Sequence, residues 1–525
     1  MNLSPNWLAA PIVIPLLAGA LSLAFTRWGF RKTVKWQQNI ALGVVAINLF
    51  VAVVLLIATL NGDRLVLQMG QWDAPFGITI IADGLSTIML TLTAILSAAI
   101  VPYAIGTLDQ RARMNFYPLL LFLIVGVNGA FLSGDLFNLY VFFEVLLMAS
   151  FVLLTLGGQA GQINGGIRYV VLNLIASILF LAAAGVAYGT LGTLNMAQLA
   201  QRMPSAPESV QMILAGLLLV AFSSKAGLFP LFFWLPSSYH TPHPAITAFF
   251  GGLLTKVGIY TLFRIFPLLF PTYLQAWQPL ILTIAGFTML TGVLGAMAVS
   301  TIRRVLSFHV ISQVGYMVLG LGLAASSDPT LAGMGMAAGI LYLVHHMIVK
   351  TALLMAGGAA ELEMGSGSLL ANRLTGLVGR RPLLAVIFFF AAFSLAGIPP
   401  MSGFVSKLGL LQLAFLSKHW LVASVSLIVS VLTLMSMARL WQTAFWGKVT
   451  APIYPTAPLT NPRMRWFVLS PIAALVGISL LIGIFSGPIF HWSDIAAQQV
   501  LDRQGYIQAV NPVSTILDLS EKYNE

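Results

Sequence analysis

Residues 221–264 read AFSSKAGLFPLFFWLPSSYHTPHPAITAFFGGLLTKVGIYTLFR, and this stretch places Lys225 and Lys256 inside apolar runs. An ammonium group near the centre of a bilayer costs about 2.5–3.5 kcal/mol on insertion scales, so such residues usually face a partner or a water-filled path. Pro230 follows Lys225 by about one helical turn. A proline within a membrane helix frees backbone carbonyls that only protein or a hydrated cavity can satisfy. The stretch therefore predicts a broken membrane helix with a lysine beside a polar cavity.

The composition is that of a membrane protein. Of the 525 residues, 58% are hydrophobic and 8% are charged, which excludes an ordinary soluble domain. Cysteine is absent, so this chain cannot hold a disulfide, a thiolate-bound iron–sulfur cluster or a covalently attached haem. Most of fourteen apolar segments come close to the ~20 residues that a spanning helix needs. These segments are 6–26, 38–60, 80–104, 116–133, 136–157, 168–190, 211–232, 243–265, 276–299, 305–324, 334–358, 384–410, 420–445 and 468–490. The sequence thus predicts an all-α polytopic membrane protein with about 14 transmembrane helices.

The distribution of basic residues predicts the orientation of these helices. If both termini are extracytoplasmic, the loops on the cytoplasmic side carry fifteen of the 26 Lys and Arg residues. The opposite loops carry six, among them Arg264 and Lys418. Because positively charged loops usually stay in the cytoplasm, the bias supports this orientation. The net charge of +11 mostly reflects the same bias and indicates no nucleic-acid surface.

Two short patterns recur at nearly equal distances along the chain. SKAGLFP at 224–230 returns as SLAGIPP at 394–400. YVVLNLIASILFLAAAG, which begins at Tyr169, resembles YLVHHMIVKTALLMAGG, which begins at Tyr342. An odd number of helices in each repeated unit makes the two units run in opposite directions, as in many transporters with discontinuous helices at the site. The patterns predict two inverted five-helix repeats.

This repeat divides the chain into four regions. We expect breaks in the seventh helix at Pro230 and in the twelfth helix at Pro399 and Pro400. The predicted regions are an N-terminal three-helix region at 1–110, the first repeat (helices four to eight) at 111–265, the second repeat (helices nine to thirteen) at 266–450, and a last helix with a short polar extracytoplasmic tail at 451–525.

Three acidic residues lie within or beside the first apolar segments. Asp83 fits the start of the third helix, where a negative charge favours the helix dipole, and Asp135 fits the extracytoplasmic end of the fifth. Glu144 lies near the middle of the fifth segment and has no polar neighbour within its own turn. A lone carboxylate there either becomes neutral or needs a cation from another helix. We expect that cation to be Lys225, beside the break, rather than Lys256; a pair that serves only packing is the alternative.

The second half of the chain carries its own polar stripes. Tyr342, His346 and Lys350 are four residues apart and share one face of the eleventh helix, whereas His345 lies about 100° away. Adjacent histidines point apart and no cysteine or nearby intramembrane carboxylate completes a ligand set, so we expect no metal site. A proton relay fits better, because histidine titrates near neutrality and desolvation lowers the pKa of lysine. Another stripe on the tenth helix comprises His309, Ser312, Gln313 and Tyr316.

Two further groups flank these stripes. Lys407 follows the second break by about two turns and closes the row of buried ionisable residues. His240 and His243, with their neighbouring prolines, precede the eighth helix at the predicted cytoplasmic side. They are typical of a shaped turn, and proton uptake is the alternative role.

These residues together resemble a known family. The chain is similar to the antiporter-like subunits shared by Mrp-type cation/proton antiporters and respiratory complex I, most closely to the D-type branch of the Mrp antiporters. The resemblance covers nearly the whole chain. Its most specific parts are SGDLFNLYVFFEVLLMASFVLLTLGG from Ser133, the stretch that begins at Lys225 and ends at Arg264, and AGIPPMSGFVSK ending at Lys407.

The resemblance implies functional positions and surroundings. The helix-five glutamate of the family falls on Glu144, its helix-seven lysine on Lys225, its helix-eight lysine on Lys256 and its helix-twelve ionisable residue on Lys407. It also implies a hydrated polar axis at the membrane midplane, no organic cofactor, A-, B-, C-, E-, F- and G-type partner subunits, and a bacterial inner membrane. In the complex I subunit most like this chain, the position of Lys407 is usually glutamate, so lysine favours the Mrp branch.

Three functions remain open on the sequence. The leading hypothesis is a secondary transporter subunit that moves protons in exchange for Na⁺ or another monovalent cation. The first alternative is a proton-pumping membrane subunit of a quinone-linked dehydrogenase, in which electron transfer elsewhere drives the same relay. The second is a scaffold subunit whose buried charges serve only packing.

Overall fold

The computed structural model describes residues 3–24, 30–109, 113–370, 375–447 and 458–510. Its long helices are α1 Ala10–Ala24, α2 Phe30–Leu60, α3 Gly84–Thr107, α4 Phe116–Leu132, α5 Leu136–Thr155, α6 Ala160–Leu191, α7 Glu208–Ala226, α8 Pro244–Leu269, α9 Gln278–Ala298, α10 Ile302–Ala324, α11 Pro329–Met364, α12 Pro382–Ala396, α13 Ser402–Leu416, α14 Trp420–Ala444, α15 Pro462–Ile484, α16 Ser486–Leu501 and α17 Arg503–Val510. Shorter helices lie at Met196–Arg202, Trp234–Ser238, Pro271–Ala276 and Leu377–Arg380.

The predicted all-helical membrane fold is confirmed. Twelve helices of the described ranges are long and apolar enough to cross a membrane. The other two predicted segments coincide with shorter apolar helices, because α4 has 17 residues and the twelfth segment is split into α12 and α13, with 15 residues each. The helical segments were therefore located correctly. Fewer of the observed helices than the fourteen predicted are long enough to cross a membrane.

A small sheet lies outside the helical pattern. β1, Leu65–Gln68, pairs antiparallel with β2, Thr79–Ala82. The hydropathy pattern predicts a third membrane helix from residue 80, but the α3 helix begins at Gly84, after Asp83 has capped it. Apolar β2 residues continue the hydrophobic run of the helix, so hydropathy could not separate the two elements.

The first part of the predicted polar tail after the last membrane helix forms helices that pack on the protein. Residues 486–510 form α16 and α17, and Tyr506, Ile507 and Val510 of α17 are buried. α16 packs on α3 and α11. The rest of that tail, and the predicted region boundaries near residues 110 and 450, lie outside the described residues.

The centre of the molecule is formed by α8 and α11, which are buried along their apolar windows. α11 is the longest helix described, with 36 residues, and packs against α3, α10, α12, α13, α15 and α16. Lys256, His345, His346 and Lys350, which lie on these two helices, are therefore enclosed by protein.

One pattern of backbone contacts occurs twice. Asp135, at the start of α5, forms an isolated antiparallel bridge with Asn195, and Thr301, at the start of α10, forms one with Ser368. The offset from Asp135 to Thr301 is nearly equal to the offset from Asn195 to Ser368. The hydrogen bonds that flank each bridge recur at the same two offsets. The helices after Asp135 and after Thr301 thus begin in the same local geometry.

Helix packing repeats in the same register. A Cβ added at Gly126 of α4 would lie 2.6 Å from the Leu146 nitrogen of α5, and one at Gly292 of α9 would lie 2.3 Å from the Ser312 nitrogen of α10. Both glycines therefore allow the two backbones of their helix pair to touch. The offset between the two pairs is the same as that from Asp135 to Thr301.

Candidate functional site

The seventh helix ends at the lysine that the sequence singled out. Gly227 adopts φ +75°, in the left-handed region that favours glycine, and its N–H is bonded to the carbonyls of Ser223 and Ser224. The chain then turns through Pro230 before helix Trp234–Ser238, so the predicted break is present. Lys225 lies in the last turn of α7, where the free carbonyl ends of the helix favour a cation.

Lys225 has a neutral hydrogen-bond partner. Its Nζ donates to Ser177 Oγ of α6 at 2.9 Å and lies 4.9 Å from the centre of the Phe143 ring. The expected direct ion pair with Glu144 does not occur among the described ion pairs. Glu144 lies within electrostatic range of Lys225, and its buried Oε1 accepts no hydrogen bond from a described residue. Ser177, for which the sequence predicts no role, is the side-chain hydrogen-bond partner of Lys225 instead.

Lys256 is held by an irregular turn of α8. Residues Phe250–Leu254 form a π-helical turn, and Lys256 Nζ donates to the Gly251 carbonyl of that turn at 2.6 Å. Such turns release a carbonyl from the α-helical ladder and occur often at functional sites. Gly258 brings this helix against the break in α7, because an added Cβ would lie 2.6 Å from the Ala226 nitrogen. The two lysine-bearing helices therefore touch directly.

The stripe on α11 is fully buried. Lys350 Nζ and both ring nitrogens of His346 have no hydrogen-bond partner among the described residues. Both side chains lie within electrostatic range of Lys256. The Tyr342 hydroxyl donates to Gln313 Oε1 of α10. α11 thus presents unpaired titratable groups beside Lys256.

His345 faces a different set of groups. Its Nδ1 lies 2.7 Å from Ser402 Oγ. Ser402 in turn contacts Ser479 Oγ at 2.8 Å, and Ser479 contacts Ser394 Oγ at 2.8 Å. This run of hydroxyl groups joins α11 to the second break and to α15. The sequence gives no sign of it because single serines in apolar helices carry no pattern of their own.

Lys407 lies beside the break between α12 and α13. Gly397 adopts φ +90° at the end of α12, as Gly227 does after α7. Pro399 and Pro400 follow it, and Lys407 Nζ reaches back to donate to the Ala396 carbonyl at 3.1 Å. The same ammonium lies 5.1 Å from the centre of the Tyr316 ring. Lys407, which lies on α13, therefore caps the C-terminal end of α12.

Some of the remaining predicted residues lie near the buried lysines, and others lie away from them. His309 Nε2 lies 2.8 Å from Ser436 Oγ, within electrostatic range of Lys350 and Lys407. Asp135 caps α5 by accepting from the Asn138 N–H at 2.9 Å, which supports a structural role. His240 Nδ1 lies 2.9 Å from the Pro236 carbonyl in the turn before α8. Neither Asp135 nor His240 contacts the buried lysines.

A polar pocket of about 580 Å³ lies near His243 on the predicted cytoplasmic side. Arg303 and Glu361 form an ion pair at its edge, with an Nη2–Oε1 distance of 2.7 Å. The His243 ring accepts from the Ala245 N–H and lies 3.1 Å from the Thr107 carbonyl. Burial, followed by the charge of Arg303, lowers the pKa of His243 to about 4. His243 therefore stays neutral at physiological pH and shapes the turn.

One buried ion pair differs from the sequence prediction. Arg264, predicted in an extracytoplasmic loop, is 4% exposed and binds Asp83 through two nitrogen–oxygen contacts of 2.6 Å. The rings of Tyr260 and Tyr506 flank its guanidinium at 5.6 Å each. The loop assignment is wrong because α8 continues to Leu269. The only sequence signals for this pair are an aspartate at the start of the third helix and an arginine near the end of the eighth.

The structure thus brings several of the predicted lysines and histidines into the protein interior, and similarity to known proteins identifies the family of the chain. A family model described as NADH:quinone oxidoreductase/Mrp antiporter, TM, matches residues 133–433. The chain belongs to this family. Within the NADH:quinone oxidoreductase/Mrp antiporter family, it is 42% identical to the Na⁺/H⁺ antiporter D subunit of Alkalihalophilus pseudofirmus over 507 residues, which are 96% of this chain and 99% of that protein. It is 36% identical to the Na⁺/H⁺ antiporter D subunit of Bacillus subtilis, with the same coverage.

Solved structures share the fold of this chain. A chain in the Mrp complex from a Dietzia species superposes with a TM-score of 0.87 at 33% identity, covering 97% of this chain and all of that one. A chain of respiratory complex I from Thermus thermophilus superposes with a TM-score of 0.78 at 22% identity, covering 94% of this chain and 99% of that one, which shows the shared fold. The suspected resemblance is confirmed, and the chain is an antiporter-like membrane subunit.

Proposed function

We propose that this chain is the proton-translocating subunit of a multisubunit antiporter that exchanges Na⁺ or another monovalent cation for H⁺. The observation that carries the proposal is the row of ionisable side chains between the break after α7 and the break after α12, all of which are buried except the half-buried Glu144. Its members are Glu144, Lys225, Lys256, His345, His346, Lys350 and Lys407. The relatives that are named as D subunits of Na⁺/H⁺ antiporters support the exchanged ions.

The unpaired polar atoms of this row support a hydrated path. Glu144 Oε1, Lys350 Nζ, His345 Nε2 and both nitrogens of His346 are buried without partners among the described residues. Buried polar groups in a membrane protein are hydrogen-bonded to protein or to water that fills a cavity. Water beside these atoms would connect them, and protons would pass between titratable groups through it. A row that served only packing would need no such unpaired atoms.

The first lysine acts as a switch in this proposal. Lys225 donates to the neutral Ser177 hydroxyl while Glu144 lies nearby without an ion pair. Movement of the ammonium from Ser177 toward Glu144 would stabilise both charges, and movement back would favour release of the proton. Each elementary charge that crosses the membrane is worth about 2.3 kcal/mol per 100 mV. The membrane potential therefore contributes to the driving force of the exchange.

In this proposal, protons leave the path through the second half of the chain. Lys407 lies within electrostatic range of His309, His345 and His346. Ser402, which contacts His345, and Ser479, which contacts Ser402, extend the path to α15. A proton that reaches Lys350 from Lys256 therefore has titratable and hydroxyl groups to follow toward the second break.

We propose further that the two halves are inverted five-helix repeats, at 111–265 and 266–450. The bridges at Asp135 and Thr301 support this assignment, because each joins the start of a helix to the segment that follows the next helix, and the two bridges are separated along the chain by nearly equal offsets. Lys225 and Lys407 then lie at matched breaks, each beside an aromatic ring of its own half. Inverted repeats of this kind support alternating access around a central site.

The surroundings of the chain follow from the same proposal. The partners are the other subunits of an Mrp-type complex (A-, B-, C-, E-, F- and G-type), and the membrane is the bacterial inner membrane. Both termini face the outside, as the distribution of Lys and Arg predicts.

Exchange by the complete complex tests the proposed function. Everted vesicles from a transporter-deficient strain would receive Na⁺, K⁺ and Li⁺ in turn while a pH-sensitive dye reports proton movement. We expect Glu144→Ala to abolish cation-dependent proton movement while the complex still assembles. Glu208→Ala, which removes an exposed carboxylate at the start of α7, is the matched control. Normal exchange by a well-assembled Glu144→Ala complex would instead favour a scaffold role.

A further inference from the structure

An apolar groove lies on the outer surface of the second half, away from the row of ionisable groups. It has a volume of about 680 Å³ and lies between α9 and the start of α14. On the α9 side, the lining residues share one face of the helix, because they recur at spacings of three and four residues. They are Pro279, Leu282, Thr283, Gly286, Phe287 and Leu290.

The groove has the length of one lipid chain in one leaflet. From Pro279 to Leu290 the helix rises about 17 Å at 1.5 Å per residue, and one leaflet contributes about 15 Å of the bilayer's hydrocarbon thickness. Phe287 is 49% exposed and Leu421 is 82% exposed, so the walls face the lipid. The Thr283 hydroxyl donates to the Pro279 carbonyl at 2.7 Å, which leaves the wall apolar.

The mouth of the groove carries one positive charge. Lys418, His419 and Trp420 line its end, in the turn between α13 and α14, and no acidic residue is among the described residues that line it. Burial lowers the pKa of His419, so the charge comes from Lys418. Lys418 is exposed and forms none of the ion pairs of the described residues. Tryptophan is enriched at the membrane–water interface, which places this turn at headgroup level. An exposed lysine at that level attracts an anionic headgroup.

We propose that this groove binds an anionic phospholipid, with one acyl chain against Gly286 and Phe287 and the phosphate against Lys418 and His419. Charge complementarity selects a lipid over a neutral apolar helix of a partner subunit, because such a helix would leave Lys418 without a counter-charge. The site lies apart from the proposed proton path, and its occupant is independent of the exchanged cation.

Two substitutions test the two ends of the site separately. Gly286→Leu fills the groove, and the fold has room for it because an added Cβ would meet only Val425 Cγ1, at 4.0 Å. Lys418→Asn removes the charge at a residue with φ +60°, where asparagine is well tolerated. Gly185→Leu, at an exposed glycine with nothing within 4 Å of an added Cβ, and Lys32→Asn, at an exposed lysine of α2, are the matched controls.

The measurement is native mass spectrometry of the delipidated, purified complete complex during titration with phosphatidylglycerol or phosphatidylethanolamine. We expect wild type to retain one phosphatidylglycerol that Gly286→Leu loses. Lys418→Asn should bind phosphatidylglycerol about fivefold more weakly and phosphatidylethanolamine unchanged, and both controls should match wild type.

Equal phosphatidylglycerol binding by Lys418→Asn and its control would overturn the proposal. So would equal affinity of wild type for the two lipids. If Gly286→Leu releases a neighbouring subunit while phosphatidylglycerol binding stays unchanged, the groove is a subunit interface and the proposal is likewise wrong. Because Lys418→Asn changes only the mouth, it decides the question even if Gly286→Leu prevents assembly.

Discussion

The buried Asp83–Arg264 pair allows a sharp prediction about stability. Both contacts between the carboxylate and the guanidinium are 2.6 Å, and the residues are 1% and 4% exposed. Asp83 also caps α3 by accepting from the Ser86 N–H at 3.1 Å. Asparagine is as good a helix cap as aspartate. Asp83→Asn therefore removes the charge while it keeps the cap, so its effect isolates the ion pair.

The expected magnitude follows from the burial. Removing one partner of a buried pair leaves the other charge uncompensated, which costs about 3–5 kcal/mol. We expect Asp83→Asn and Arg264→Met each to lower the free energy of unfolding by about this amount. Replacing both partners with neutral groups is often nearly neutral. The double variant Asp83→Asn/Arg264→Met should therefore recover most of the loss, with a coupling energy above about 2 kcal/mol.

Unfolding of the full chain by sodium dodecyl sulfate in mixed micelles, followed by circular dichroism, measures these free energies. The matched control is Asp502→Asn, which breaks the Arg64–Asp502 pair, whose carboxylate side chain is 51% exposed. Exposed pairs contribute about 0–1 kcal/mol, so this change should have little effect. If the losses from Asp83→Asn and Arg264→Met simply add in the double variant, the two residues are not coupled and the reasoning from burial fails.

Three further predictions concern the site and its surroundings. Lys407→Arg should reduce exchange in everted vesicles almost as far as Lys407→Ala, because arginine keeps the charge but stays protonated. A wild-type rate of exchange by Lys407→Arg would show that Lys407 supplies only a fixed positive charge and does not transfer protons. Gly258→Leu should lower the free energy of unfolding by about 1–3 kcal/mol, because an added Cβ would lie 2.6 Å from the Ala226 nitrogen. Gly216→Leu is the control, because an added Cβ there meets nothing within 4 Å, and it should leave the free energy of unfolding unchanged in the same assay. His243, whose pKa is lowered to about 4 by burial and the Arg303 charge, contributes stability that is complete above its unfolded pKa of about 6.5 and is lost as the pH falls toward 4. His243→Asn should flatten the dependence of the unfolding free energy on pH between 7 and 5, and an unchanged slope would refute this assignment.

The sequence predicted those features that depend on local pattern. Long apolar runs located the helices, and the Gly-Pro patterns located the breaks at Pro230 and at Pro399 and Pro400, because helix formation and termination are governed by nearby residues. The buried lysines stood out for the same reason, since each interrupts an apolar run.

Features that depend on the third dimension were missed or misassigned. Asp83 and Arg264 are far apart in the sequence, and no local pattern joins them. Ser177, and not Glu144, accepts a hydrogen bond from Lys225, because α6 packs against α7. The offset that relates the helices beginning YVVLN and YLVHH also aligns Ser177 with Lys350, so the repeat itself held a signal for this polar position.

The central claim is that protons cross between the two breaks through the buried ionisable row. Lys350 tests it most directly, because this fully buried residue has no hydrogen-bond partner for its Nζ among the described residues. Proton flux driven by a Na⁺ gradient would be measured with an internal pH dye in proteoliposomes that contain the complete complex, for Lys350→Leu and for the exposed control Lys32→Leu. The account predicts that Lys350→Leu assembles normally and loses flux by about 10²-fold or more, as removal of a proton-transferring side chain typically does. Wild-type flux through a fully assembled Lys350→Leu complex would contradict the account.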